Sequence, residues 1–528
     1  MTRRSSPRGL LAGLLLGLAC AGAAIAQDAA TSRLEAVLAG HAVLRAGALT
    51  PPPPDAPAEA RVSGRMGLGE AAAPGALMRN GIAWPLAGQP LQGFSGLAAA
   101  RAADGTLWAV MDNGYGRRGN SADALLSLAR LRPDFEAGRL HVTSRIWLRD
   151  PDRRMPVPIR HGATAARYLT GADLDPESIE LVDGRIFVGD EFGPWLIELR
   201  PDGVVLAVHE AMLDGAPLRA RDRPDLPADA RRGIDWQVPR SGGFEGLALA
   251  PDGRLWALLE RPLRRAEGRE PWVRALAFDP RAGRWTGESV RLGLGPGARA
   301  VGGLAFLDAT RALVIERDDG QGHPSRACAE GQEAGCFPRP ARAKRLVVVD
   351  MGASDAAGRA ARLAEIDLMD IADPDGLARL PTDGDLPAGR FAFPFATIEG
   401  VMRDGPAHVL VSNDNNLPFG TGRRPGVADA SELIRLRVPG IAAAREARPR
   451  RAQPRRRRPI RPSAAIPPSS SGSAAGTGTG EMLGPVPPAA KIRLSTLKSS
   501  SLLKSLFPVP RSTIRSKAVS EVTPKKPT

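Results

Sequence analysis

Five segments of this chain repeat one pattern: a small-residue turn, a short apolar run, a hairpin turn, a second apolar run and a terminal acid. They run from Gly96-Leu97-Ala98 to Asp112, from Glu177-Ser178-Ile179 to Asp190-Glu191, from Glu245-Gly246-Leu247 to Glu260, from Gly303-Leu304-Ala305 to Glu316, and from Glu399-Gly400-Val401 to Asp414. Such a recurrence marks one supersecondary unit used repeatedly. If the units are related by rotation, their terminal acids converge on one axis.

Most of residues 62–438 reads as strand. Asp104-Gly105, Asp183-Gly184, Asp202-Gly203 and Asp252-Gly253 each separate two apolar runs. Asp-Gly suits a type I′ hairpin because both residues tolerate positive φ. Residues 107–111, 185–188 and 255–259 are therefore expected to be strands after hairpin turns, with 345–349 and 433–438 as further strands. Helical spacing is sparse: Leu34, Val37, Leu38, Val43 and Leu44 suggest a short helix within 28–46, and 123–130 another. Pro51 to Pro54 impose an extended segment. Many hairpins and a repeat favour radial repetition over a doubly wound α/β fold. The expectation is an all-β chain, a β-propeller of five to seven blades with six preferred, enlarged by insertions at 217–239 and 320–340. The last strand, 432–438, is expected to pair with N-terminal material and so remove sheet edges.

The formal charge of +15 is unevenly placed. Residues 441–528 hold 18 Lys+Arg and 3 Asp+Glu, which accounts for all of it. The neutral body offers no electrostatic case for nucleic acid. Six of the seven lysines lie in that tail, and Lys344 is the only one before it. A basic run at 455–458 and a Ser/Gly/Ala-rich stretch at 469–480 predict disorder. Three readings of the tail stay open: adhesion to anionic surfaces, a dispensable extension, or sequence not in phase with the natural coding of the body.

At the other end Arg3, Arg4 and Arg8, an apolar stretch at 10–18 and Ala24-Ile25-Ala26 read as a secretory signal cleaved before Gln27. The apolar stretch is too short to span a bilayer. The expected layout is a signal at 1–26, a lead-in at 27–61, the folded domain at 62–440 and the tail at 441–528. The mature protein is expected to be periplasmic or secreted, without a membrane span, and monomeric. Cys328 and Cys336 are expected to close a loop as a disulfide in that oxidising compartment. Two thiols without a neighbouring His pair make no zinc site.

Acids and amides gather at the strand ends. The strings are Asp112-Asn113-Gly114-Tyr115-Gly116 with Asn120, Asp175-Pro176-Glu177-Ser178-Ile179, Gly189-Asp190-Glu191-Phe192-Gly193-Pro194, Phe244-Glu245-Gly246, Glu316-Arg317-Asp318, Ile398-Glu399-Gly400 and Asn413-Asp414-Asn415-Asn416. Singly, such residues cap turns. Repeated on related units they crowd negative charge, which a cation would neutralise. Carboxylate and amide oxygens suit Ca²⁺ better than Mg²⁺, which dehydrates reluctantly. Other chemistries are disfavoured. After Phe94-Ser95-Gly96, Leu97 stands where a nucleophile elbow needs glycine. Gly114-Tyr115-Gly116 opens no helix of a βαβ unit.

As a set, these strings resemble the phytase-like family, also described as the esterase-like activity of phytase family, found in exported bacterial proteins. The resemblance spans residues 38–438 and includes Gly40-His41-Ala42-Val43-Leu44 and Asp55-Ala56-Pro57. It implies a β-propeller hydrolase of esters, phosphate esters among them, with bound calcium and a small-molecule substrate. On that expectation Asp112, Asn113, Glu177, Asp190, Glu316, Glu399, Asp414 and Asn415 are candidate calcium ligands. Glu245 and Glu191 are candidate general bases, and His323 a candidate proton donor. Arg117, Arg118, Arg317 and Asn120 are candidate contacts to substrate oxygens. Two rivals stay open, since propellers serve many purposes. One is a noncatalytic propeller with structural calcium that binds a ligand or protein partner. The other is a lactonase-type carboxylic-ester hydrolase using one metal.

Overall fold

The computed structural model describes residues 31–444 apart from 67, 69–71, 113 and 227–235. The expected signal, nearly all of the tail and Asn113 lie outside the described residues. The principal strands are Val37–Leu44 (β1) and nineteen more that, with β1, form five four-stranded antiparallel groups. The first group is Phe94–Leu97 (β2), Leu107–Met111 (β3), Ser127–Asp134 (β4) and Arg139–Trp147 (β5). The second is Pro176–Val182 (β6), Arg185–Asp190 (β7), Trp195–Leu199 (β8) and Val205–Glu210 (β9). The third is Phe244–Leu249 (β10), Leu255–Leu259 (β11), Trp272–Asp279 (β12) and Arg284–Gly293 (β13). The fourth is Ala300–Phe306 (β14), Arg311–Arg317 (β15), Lys344–Ser354 (β16) and Ala360–Asp367 (β17). The fifth is Thr397–Arg403 (β18), His408–Asp414 (β19) and Ser431–Arg437 (β20), completed by β1. The preferred count of six units thus meets five such groups among the described residues.

The first strands of the groups, β2, β6, β10, β14 and β18, neighbour one another in a closed cycle. Glycine makes the approach possible. A Cβ on Gly302 would lie 2.4 Å from the Ile398 carbonyl, and one on Gly96 2.7 Å from that of Glu177. Between consecutive groups lie hydrophobic cores, and the last joins the fifth group to the first. This explains why the second strands are apolar throughout rather than alternating: both faces are buried. In β3, Leu107, Ala109 and Met111 face the core shared with the fifth group, while Trp108 and Val110 face the second.

β1 pairs with β20 along its length and touches β5 through Val43 and Arg139, so N-terminal chain fastens the last group to the first. The fastening is also polar. Buried His41 accepts the Arg379 N–H at Nδ1 (3.0 Å), which leaves Nε2 to donate to Glu432 at 2.7 Å. Arg423 meets the same carboxylate at 2.6 and 2.9 Å and lies over Phe391 and Phe395. Burial alone would raise the Glu432 pKa, but Arg423 and His41 together draw it down to about 2.

Three local expectations are corrected. The segment proposed as a helix within 28–46 contains strand β1, because pairing with β20 outweighs a weak helical pattern. In 123–130, Asp123 accepts the Gly64 and Arg65 amides and Ser127 begins β4. Of the Asp-Gly turns, only Asp183-Gly184 has positive φ at both residues, as type I′ requires; in the other three only the glycine does. Cys328 and Cys336 are disulfide-bonded within the 320–340 insertion. No helix among the described residues is long and apolar enough to cross a membrane.

Candidate functional site

Each first strand carries a register shift against its hairpin partner: at Ser95 in β2, Glu177 in β6, Glu245 in β10, Gly302-Gly303 in β14 and Glu399 in β18. A bulge re-aims the side chain it displaces. Oxygens of Glu177, Glu245 and Glu399 lie within 4.8 Å of one another. Each second strand ends with a residue at an equivalent place, one past the partner of the last residue before the bulge. These residues are Asp112, Glu191, Glu260, Arg317 and Asp414. Asp175, just before β6, joins them: its carboxylate, that of Glu177 and that of Glu191 form a second group within 4.8 Å. The result is an acidic bowl around the centre of the strand cycle.

Two residues beyond the bulges, Leu97, Ile179, Leu247, Leu304 and Val401 line the axis. The space left there is about 10 Å³, room for one water at most. The bowl therefore has an apolar floor and opens at the strand-end side. There it adjoins a cavity of about 340 Å³ lined by Arg117, Arg118, Asn120, Asp175, Phe192, Asp222 and Arg240, among others. Arg118 donates from Nε to the Ala172 carbonyl at 2.9 Å and lies over the Phe192 ring. Arg240 pairs with Asp222 at 3.3 Å. Arg117 is exposed, with no ion pair among the described residues.

Burial and mutual repulsion hold these acids protonated above their ordinary range. Glu245 rises to about 8 through burial and the charge of Glu260, although Arg317 opposes. Asp414 rises to about 6, first by burial and then by Asp175. Asp112, Glu177, Glu191 and Glu399 are pushed well up, each first by burial and then by neighbouring carboxylates. Two guanidinium groups answer this charge: Arg261 pairs with Glu260 Oε2 at 2.8 Å, and Arg317 is the more deeply buried. Nη2 of Arg317 lies 2.7 Å from Glu260 Oε1 and 3.3 Å from Oε1 of both Glu245 and Glu399. Glu191 Oε1 and Glu399 Oε2 are buried without a hydrogen-bond partner.

Of the residues expected at the site, Asp112, Glu177, Glu191, Glu245, Arg317, Glu399 and Asp414 come together, and Arg117, Arg118 and Asn120 line the adjoining cavity. Arg317 lies inside the bowl, tied to acids, rather than beside a substrate. Asp190 and Glu316 stand one residue short of Glu191 and Arg317, and on a strand one step reverses the side chain. Asp190 accepts the Asp175 and Gly193 amides at 2.8 and 2.7 Å. Glu316 pairs with Arg362 and accepts the Gly295 amide. Asn415 links loops, accepting from Gly93 N–H and donating to the Asp429 carbonyl. His323 caps a short turn, with Nδ1 2.8 Å from Ser325 Oγ, and Asp385 is the carboxylate that acts on it. Asp175 and Glu260 were missed as site residues, although Glu260 occupies the repeat position that the pattern itself defines.

No curated protein matches the chain in sequence. Solved structures resemble it weakly. A putative 6-phosphogluconolactonase from Bacteroides uniformis is 14% identical, over 64% of this chain and 71% of that one, with a TM-score of 0.26. Myxococcus xanthus glutaminyl cyclase is 11% identical, over 66% and 91%, at 0.30. Bacillus subtilis arabinanase is 10% identical, over 65% and 96%, at 0.29. Likenesses of that size bear on neither substrate nor chemistry. The match that does bear is to a family model, over residues 89–417, which takes in every first strand and the whole bowl. The chain belongs to the phytase-like family, described as having the esterase-like activity of phytase.

Proposed function

We propose that this protein is an exported, calcium-associated hydrolase of phosphate esters, built as a five-bladed propeller with its site at the acidic end of the axis. Five four-stranded groups joined by a cycle of cores support the blade count. Export rests on the N-terminal signal pattern and accords with the Cys328–Cys336 bond. The observation that carries the function is the juxtaposition at the mouth. Arg117, Arg118 and Arg240 line one cavity with Asp175, which also belongs to a three-carboxylate group. Guanidinium groups at a cavity wall suit phosphate oxygens. Hard oxygen donors gathered in the bowl suit a divalent cation.

The donor set fits calcium. Asp175, Glu177 and Glu191 supply only carboxylate oxygens within mutual reach, and Glu191 Oε1 is buried without a partner. These three residues would hold the ion, which when bound would stabilise charge building on the transferred group. The chain's own groups do the rest. Arg117 and Arg118 bind and orient the anionic ester, with the Arg118 guanidinium 5.7 Å from the centre of the Phe192 ring. In the ion-free protein burial and the charge of Glu260 raise Glu245 to about 8, and this buried acid is suited to donate a proton. Asp112, half-buried at the rim with Oδ1 taken by the Gly114 amide, is suited to accept one from water only in its ionised form, which burial and Asp414 disfavour in the ion-free protein. The apolar floor keeps bulk water from entering along the axis.

The test is turnover by the purified protein on matched phosphate-ester, aryl-ester and lactone substrates, with calcium and with chelator. Calcium-dependent release of phosphate is expected. Turnover of the aryl ester or lactone alone would replace the substrate class. No turnover, with calcium still raising the melting temperature, would leave a ligand-binding propeller.

A further inference from the structure

The fourth group differs from the other four at both positions that build the bowl. At its bulge it has Gly302-Gly303, with no side chain to contribute. At its strand end it has Arg317, where the other groups have Asp112, Glu191, Glu260 and Asp414. An arginine thus occupies an acid's position in a ring of acids, and it is 5% exposed. Its Nη2 reaches carboxylates from both flanking groups, Glu245 and Glu260 on one side and Glu399 on the other. Guanidinium does not deprotonate in proteins, so this charge is permanent.

The bowl's two carboxylate groups are therefore unlike. Glu177, Glu245 and Glu399 form one, and Arg317 already bridges two of its three members. Asp175, Glu177 and Glu191 form the other. Among the described residues neither Glu177 nor Glu191 makes an ion pair, and Glu191, 5% exposed, has an oxygen with no partner. Glu399 Oε2 is bare as well, so it is the ion pairs to Arg317 that set the two groups apart. A buried carboxylate oxygen left bare is costly, and a bound ion would satisfy it.

We propose that Arg317 is a built-in counter-cation that takes the place of a second metal ion, so that the bowl binds a single divalent cation at Asp175, Glu177 and Glu191. This rests on the reading that the bowl is a calcium site, and it adds the stoichiometry and its cause. A cation at the other group would sit against a fixed positive charge and compete with it for the same oxygens. At the Asp175 group Glu177 and Glu191 carry no ion pair among the described residues, and Arg261, which pairs with Glu260, acts on Glu191 only through space.

The experiment counts ions. Equilibrium dialysis of the folded protein against calcium, without substrate, is expected to give one ion per chain. Arg317→Lys keeps a charge there and is expected to bind one. Arg317→Met exposes Glu245 and Glu399 to each other and is expected to bind two. Glu191→Gln is expected to bind none, and Glu260→Gln, which leaves the Asp175 group whole, to bind one. If Arg317→Met does not fold, the two glutamine variants still decide the location. Two ions in the unaltered protein, or one ion retained in Glu191→Gln, would overturn the proposal while leaving calcium binding intact. No ion in any form would overturn the calcium reading itself.

Discussion

Arg118 is in place before any substrate arrives. Its Nε is fixed on the Ala172 carbonyl and its guanidinium lies over Phe192, so an anion in the cavity meets a preorganised donor. Arg118→Ala is expected to raise KM for a phosphate ester about tenfold, the worth of one charge-assisted hydrogen bond of ~1.5 kcal/mol. His323→Ala, measured beside it, is expected to leave both kcat and KM unchanged, because that ring caps a turn. A tenfold loss in the histidine variant would return His323 to the chemistry. At this scale the composition of the bowl was legible in the strings Asp-Pro-Glu-Ser-Ile, Phe-Glu-Gly and Ile-Glu-Gly. Which of two adjacent residues points inward was not. Asp190-Glu191 and Glu316-Arg317 are each an ambiguous pair, and the choice depends on a strand register that no single residue announces.

The five bulges set that register. Four displace one residue from the ladder, the fourth group's displaces a glycine pair, and the apolar residue beyond each closes the floor. In the fourth group the bulge is glycine because neighbouring backbone leaves no room. A Cβ on Gly302 would lie 2.4 Å from the Ile398 carbonyl and 3.1 Å from Glu399 Cα. Gly302→Ala is expected to lower stability by ~1–3 kcal/mol, the usual cost of overpacking, as read by urea unfolding. A change below about 0.5 kcal/mol, the scatter of ordinary surface substitutions, would show that β14 and β18 can separate at no cost. The hairpins themselves were readable from apolar runs and Asp-Gly turns. The bulges were not, because a bulge is a mismatch between two strands, and a linear pattern records only one. The segment taken for a helix failed for a related reason: β1 owes its conformation to β20, a partner at the far end of the domain.

Across the whole molecule, the bowl makes stability depend on pH. The folded-state pKa of Glu245 is about 8 against an ordinary 4.5, and that of Asp414 about 6 against 3.8. Between those values the folded chain holds more protons than the unfolded one, so stability is lost as pH rises. Glu432 works in the opposite sense: with its value drawn down to about 2, its contribution is complete above 4.5 and masks nothing in this window. The melting temperature of calcium-free protein is therefore expected to fall from about pH 5 to about pH 8, and calcium is expected to abolish the fall. A flat profile in chelator would mean that the acids are neutralised by some other route. The same ring has a consequence for biogenesis. His41 and Glu432, which meet in the fastening, stand 391 residues apart. The strand made first, paired otherwise only at Val43 and Val37, waits for the strand made last, and until β20 arrives both β1 and the fifth group present open hydrogen-bonding edges. Closure is therefore a late, long-range event on a slow topology. A nascent chain arrested before residue 431 would hold every residue of its bowl and lack only β20, with Glu432, from its clasp.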